Sequence, residues 1–166
     1  SGERVEKILF DSAAANAGQF FCVVEGAIPT AEGGIYGMIG GRTMLSIANE
    51  ICPKAKAILA IGTCASFGGL PAAQPNPTGA KGLKAALGQT LQVPVVNIPG
   101  CPPNPVTFVG TIANYLLSGT LPPLDGLGRP LAFYSRRVHD TCYRRPNYDA
   151  GLFVESFDDE NAKRGY

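Results

Sequence analysis

Apolar residues fall along this chain in two rhythms. Residues 19–24, 57–61 and 93–98 are short, nearly unbroken apolar runs. Runs of this kind predict strands buried on both faces. Longer segments carry apolar residues at helical spacing. Residues 3–17 predict a first helix, with Val5, Ile8, Leu9 and Ser12 to Ala15 on a small-residue face. Residues 43–52 predict a second, with Thr43 as cap and Leu45, Ile47, Ala48 and Ile51 as its apolar set. Residues 78–87 and 106–117 predict two more, the last stopped by Gly119. Residues 131–134 predict a short fourth strand.

Strands alternating with helices imply a parallel sheet covered on both faces. The expected fold class is therefore α/β, a flavodoxin-like doubly wound parallel sheet. The chain opens on a helix and without Met, as expected of a processed product or a piece of a longer chain. The first strand is central in such sheets, so its absence is expected to leave edges that another segment or a partner covers. Residues 1–135 are expected to form the α/β core. Residues 136–166 are polar and irregular and form a second region.

Two strand ends stand out. The run Ala57-Ile58-Leu59-Ala60-Ile61 leads into Gly62-Thr63-Cys64, and Val95-Val96-Asn97-Ile98 leads into Pro99-Gly100-Cys101. Open α/β folds bind ligands at the carboxyl ends of their strands. Two thiols delivered there by neighbouring strands point to a shared soft-metal or redox centre, with an iron–sulfur cluster favoured over inert thiols. Two thiolates do not complete a four-iron site, so further ligands must come from elsewhere. Glu25-Gly26 closes the first strand at the same rim. Cys22 and Cys52 lie in apolar or helix-ending contexts and read as structural thiols.

His139 and Cys142 stand three apart, a spacing that lets both face one metal. His139 is the sole histidine, and Arg136, Arg137, Arg144 and Arg145 flank the pair. They could balance thiolate charge, bind a partner, or form a solvated basic loop.

Composition narrows the partners. Net charge is +1, which gives no support to nucleic-acid binding. No apolar run reaches the roughly 18 residues of a membrane span. Charged residues are 16% of the chain, and 21 glycines and 14 prolines mark many specialised turns. Low charge fits either a large partner interface or a tightly looped compact domain. Five cysteines cannot all close into disulfides. Nucleotide-binding glycine fingerprints are absent from the sequence. A rival reading takes Cys64 as the nucleophile of a hydrolase, with His139 as base and Asp140 as its orienter. A metal-free docking domain is the third.

The stretches Gly62-Thr63-Cys64-Ala65-Ser66-Phe67-Gly68-Gly69, Pro75-Asn76-Pro77-Thr78 and Asn97-Ile98-Pro99-Gly100-Cys101-Pro102-Pro103-Asn104-Pro105 resemble the small, electron-transferring subunit of nickel–iron hydrogenases. Val138-His139-Asp140-Thr141-Cys142 and Phe157-Asp158-Asp159-Glu160 carry the resemblance further. The resemblance implies a large subunit bearing the nickel–iron centre, and an electron acceptor such as a cytochrome. It implies Cys64 and Cys101 as two ligands of a proximal 4Fe-4S cluster, and His139 and Cys142 as two ligands of a distal 4Fe-4S cluster. Glu25 is implied beside the proximal cluster, and Gly69 at a position where oxygen-tolerant members carry an extra cysteine. A Cys-x-x-Cys segment before this chain, and a cysteine-rich domain after it with a medial 3Fe-4S cluster, are expected in the full subunit. A periplasmic or membrane-associated location is implied by resemblance alone.

Overall fold

The computed structural model describes residues 2–166. The chain divides into two compact units, Ser1–Ala132 and Phe133–Tyr166.

In the first unit, helix α1 (Gly2–Ala15) precedes strand β1 (Phe21–Glu25). A small hairpin, β2 (Met38–Ile39) and β3 (Arg42–Thr43), leads into α2 (Met44–Ile51). Strand β4 (Ala57–Ile61), helix α3 (Gly62–Phe67), helix α4 (Leu83–Leu87), strand β5 (Val95–Ile98) and helix α5 (Pro105–Ser118) follow. The main sheet is parallel, in the order β1-β4-β5. It is an α/β fold with a continuously apolar central strand, as the sequence predicts. β1 and β4 pair directly from Phe21↔Ala57 to Glu25↔Ile61, with β1 at one end of the sheet.

Residues on β4 alternate between two cores. Ile58 packs with Ile28, Cys52, Leu83 and Leu87 on one face. Leu59 packs with Val96 and Ile98 on the other, under Phe108 and Ile112 of α5. This is the period-two alternation of a strand with both faces buried. Each such fully buried Ile or Leu contributes about 1.5–3 kcal/mol. Thr43 caps α2 as expected, accepting the Ser46 N–H at 3.1 Å. Gly119, at φ +72°, ends α5. Only Ala13 of α1 is buried, so the expected apolar face of Val5, Ile8 and Leu9 is left exposed.

Two expected elements differ. Thr78 does not open a helix. The carbonyls of Thr78 and Gly79 accept backbone N–H groups from Thr30 and Ala31, and Ile28 bridges Lys81. The helix waits for Leu83. The expected strand at 131–134 is a helical turn, α6 (Leu131–Tyr134). The outer edge of β5 is already occupied there. Asn97 N–H donates to the Gly128 carbonyl at 2.8 Å, and the Asn97 amide donates to the Leu127 carbonyl at 2.8 Å.

The second unit consists of short helices: α7 (Val138–Thr141), α8 (Arg145–Asp149) and α9 (Glu160–Lys163). Asp159 caps α9, and its carboxylate accepts the N–H groups of Ala162, Glu155 and Ser156.

Candidate metal centre

The rim of the sheet is built from three strand ends in register. Glu25 stands opposite Ile61, and Ile61 opposite Ile98. Neighbouring strands are about 4.8 Å apart, so these residues form one short row. Beyond Ile61 the chain turns through Gly62, at φ +85°, into α3.

Thr63 ties the start of α3 to the turn before Cys101. Its backbone N–H donates to the Gly100 carbonyl at 3.0 Å. Its hydroxyl Oγ1 accepts the Gly100 N–H at 3.0 Å. Cys64 and Cys101 are the next residues along each segment. This two-bond latch fixes α3 and the Gly100 turn against each other immediately before the thiols.

Further contacts set each cysteine. The Cys64 carbonyl accepts the Gly68 N–H at 2.8 Å. The chain then returns so closely that a Cβ on Gly69 would stand 2.7 Å from Cys64 Sγ. A side chain at Gly69 would fill the space beside the sulfur. Ser66, buried beneath, donates to the Ala60 carbonyl at 3.0 Å and anchors α3 to β4. On the other loop, a Cβ on Gly100 would meet Pro103 Cα at 2.6 Å, so the turn before Cys101 has no room for a larger residue. Cys64 is half-buried and Cys101 exposed, and both are free thiols. Glu25 is exposed at the same rim.

The donor chemistry suits a thiolate-ligated metal group. Two thiols fall short of the four donors that a four-iron group takes. Among the described residues, no three His, Cys, Asp or Glu side chains converge as a metal-holding group.

In the second unit, His139 lies on α7 and Cys142 immediately after it. Both line one cavity of about 220 Å³, together with Arg144, Tyr148 and Phe153. The His139 ring meets Tyr148 edge-on at 5.0 Å, and Tyr148 meets Phe153 at 5.4 Å. Arg145 pairs with Asp140 and Asp149, so its charge is met within the unit. Arg144 lies over the Tyr143 ring at 5.3 Å. Asp140 is committed elsewhere than a catalytic triad requires. One oxygen accepts the Arg137 backbone N–H at 2.8 Å, and the other faces Arg145. The hydrolase reading thereby loses its orienting carboxylate.

Sequence reasoning missed Thr63, whose place between a strand end and Cys64 was its only signal. It also treated Cys22 and Cys52 separately, whereas the structure brings their thiols into contact. No helix among the described residues is long and apolar enough to cross a membrane.

Comparison with known proteins agrees with this architecture. Residues 3–115 match the family described as NADH ubiquinone oxidoreductase, 20 Kd subunit. The chain is 52% identical, over its whole length, to 52% of the periplasmic [NiFe] hydrogenase small subunit 1 of Nitratidesulfovibrio vulgaris. It is 45% identical, again over its whole length, to 51% of the periplasmic [NiFe] hydrogenase small subunit of Solidesulfovibrio fructosivorans. Among solved structures, the [NiFeSe] hydrogenase of Desulfovibrio vulgaris Hildenborough superposes with a TM-score of 0.89 at 36% identity. That match covers 97% of this chain and 63% of the other. The [NiFeSe] hydrogenase of Desulfomicrobium baculatum gives 0.86 at 37% identity, covering 95% and 62%. The chain spans about half the length of these curated relatives. It belongs to the NADH ubiquinone oxidoreductase 20 Kd subunit family, within which it is similar to the central portion of nickel–iron hydrogenase small subunits.

Proposed function

We propose that this chain is the core of the electron-transferring subunit of a hydrogenase, which interconverts dihydrogen with protons and electrons. In this reading a large subunit holds the nickel–iron centre and hydrogen is activated there. The observation that carries the reading is the Thr63–Gly100 latch, which sets Cys64 and Cys101 at adjoining strand ends.

Cys64 and Cys101 would hold a proximal 4Fe-4S cluster, with the remaining ligands supplied by segments outside this chain. When bound, such a cluster supplies a one-electron relay whose potential depends on burial and on hydrogen bonds to sulfur. Both thiols must lose their protons to serve as ligands. Gly69 keeps the space beside Cys64 Sγ open. Thr63 and Gly100 keep α3 and the turn before Cys101 in fixed relation, so little rearrangement accompanies a change of charge at the thiolates. Glu25, at the end of β1, would lie beside that cluster at the rim.

His139 and Cys142, lining one cavity of the second unit, would be two ligands of a distal 4Fe-4S cluster. Neutral imidazole in place of thiolate removes negative charge and raises the potential of such a site. A medial 3Fe-4S cluster belongs to segments beyond this chain. A cytochrome or similar one-electron carrier is the acceptor that this arrangement suits. Two of the relatives are named as periplasmic, and the same location is proposed here.

The test replaces Cys64 or Cys101 with Ser in the complete subunit assembled with its partner. Each variant should lose about four iron atoms per complex and all hydrogen-dependent electron transfer. Full iron content in either variant refutes the assignment.

A further inference from the structure

Two other thiols meet well away from the rim. Cys22 is the second residue of β1 and stands opposite Ile58. It stands three positions before Glu25, which places it about 10 Å down the strand from the rim. Cys52 follows α2 at the start of a 3-10 turn. Both belong to the apolar cluster that contains Ile28, Ile58 and Leu83. Both also line one apolar cavity of about 260 Å³, bounded by Met44 and Ile51. Their thiols lie within hydrogen-bonding reach of each other.

The two sulfurs differ in access. Cys22 is half-buried, whereas Cys52 is 1% exposed. Cys22 is therefore the sulfur that an outside disulfide meets first. That is the arrangement of an attacking thiol with a resolving thiol behind it.

We propose that Cys22 and Cys52 form a reversible disulfide, a redox-sensitive cross-link between β1 and the end of α2. The oxidant is a low-molecular-weight disulfide. The Cys22 thiolate attacks one of its sulfurs, its S–S bond breaks, and one small thiol leaves. The Cys52 sulfur then attacks the Cys22 sulfur of the mixed disulfide, and its proton goes to the second departing thiolate. Two protein thiols are oxidised by two electrons, and one small disulfide is reduced to two small thiols. The bond closes the segment 22–52 into a loop and restricts the unfolded chain. It also fastens β1, an end strand of the sheet, to a helix behind it.

The test uses the complete subunit in its native complex, treated with oxidised glutathione. The sample is then denatured, alkylated, digested and mapped by mass spectrometry. The expected product is the Cys22 peptide joined to the Cys52 peptide, lighter by two hydrogens than the separate pair. Dithiothreitol should reverse it. The oxidised sample should melt at a higher temperature than the reduced one. A Cys52→Ala variant should instead retain glutathione on Cys22. Alkylation of both Cys22 and Cys52 in the treated wild type, or glutathione persisting on its Cys22, would overturn the proposal.

Discussion

Gly69→Ala tests the cradle around Cys64 with a built-in control. The added Cβ would stand 2.7 Å from Cys64 Sγ and 3.1 Å from both its N and Cα. Two of those atoms are backbone and cannot step aside cheaply. The glycine itself sits at φ +55°, ψ −150°, a region costing an L-residue about 1–3 kcal/mol. Overpacking adds a further cost of about 1–3 kcal/mol. Gly88 supplies the comparison, since it has nearly the same backbone, φ +56°, ψ −134°, with nothing within 4 Å of a new Cβ. Gly88→Ala therefore carries the backbone strain alone. Each kcal/mol lowers the melting temperature of a chain this size by about 2–4 °C. Both variants, made in the complete subunit with its partner, should melt below the wild type, Gly69→Ala lower than Gly88→Ala. Only Gly69→Ala should lose iron, because only its strain falls on a residue proposed to hold it. Equal melting temperatures together with full iron content in Gly69→Ala would refute the reasoning.

Thr63→Val leaves the Gly100 N–H without its acceptor, at a cost of about 1–3 kcal/mol. Chelators should strip iron from this variant faster than from the wild type, and Thr63→Ser should restore both stability and retention. Thr43→Ala removes the α2 cap and should cost about 1 kcal/mol, read as a lower melting temperature with iron content unchanged. The Asp159 carboxyl is held below the usual aspartate range, chiefly by the Ala162 N–H and then by the Glu155 N–H. A depressed folded-state pKa contributes stability that is present above the unfolded value and lost as pH falls through the folded one. Amide exchange at Ala162 and Glu155 should therefore accelerate relative to the rest of the unit only below the ordinary aspartate range. Asp159→Asn should remove that acid-dependent step; an unchanged profile would reject the capping role.

The strands expected at 57–61 and 93–98, the latter observed as Val95–Ile98, were legible because nearly unbroken apolar runs have few other uses in a chain of this size. The cap at Thr43 and the stop at Gly119 were legible because each depends on one local backbone feature. The helix expected from Thr78 failed on a tertiary contact: Thr30 and Ala31 take the carbonyls of Thr78 and Gly79. The strand expected at 131–134 failed because Gly128 already covers the outer edge of β5. Neither contact leaves a trace in local periodicity. Cys64 and Cys101 were legible as candidate ligands from their matching strand-end contexts. Thr63 was not, since its role exists only once Gly100 lies across from it. The Cys22–Cys52 contact was hidden for the same reason, with 29 residues between them.

Iron anomalous diffraction from crystals of the complete subunit with its partner tests the central claim most directly. The account predicts one anomalous peak cluster bonded to Sγ of both Cys64 and Cys101, beside the Thr63–Gly100 latch. Sulfurs of these two residues that face separate sites, or a rim devoid of iron while iron is present elsewhere in the complex, would contradict it.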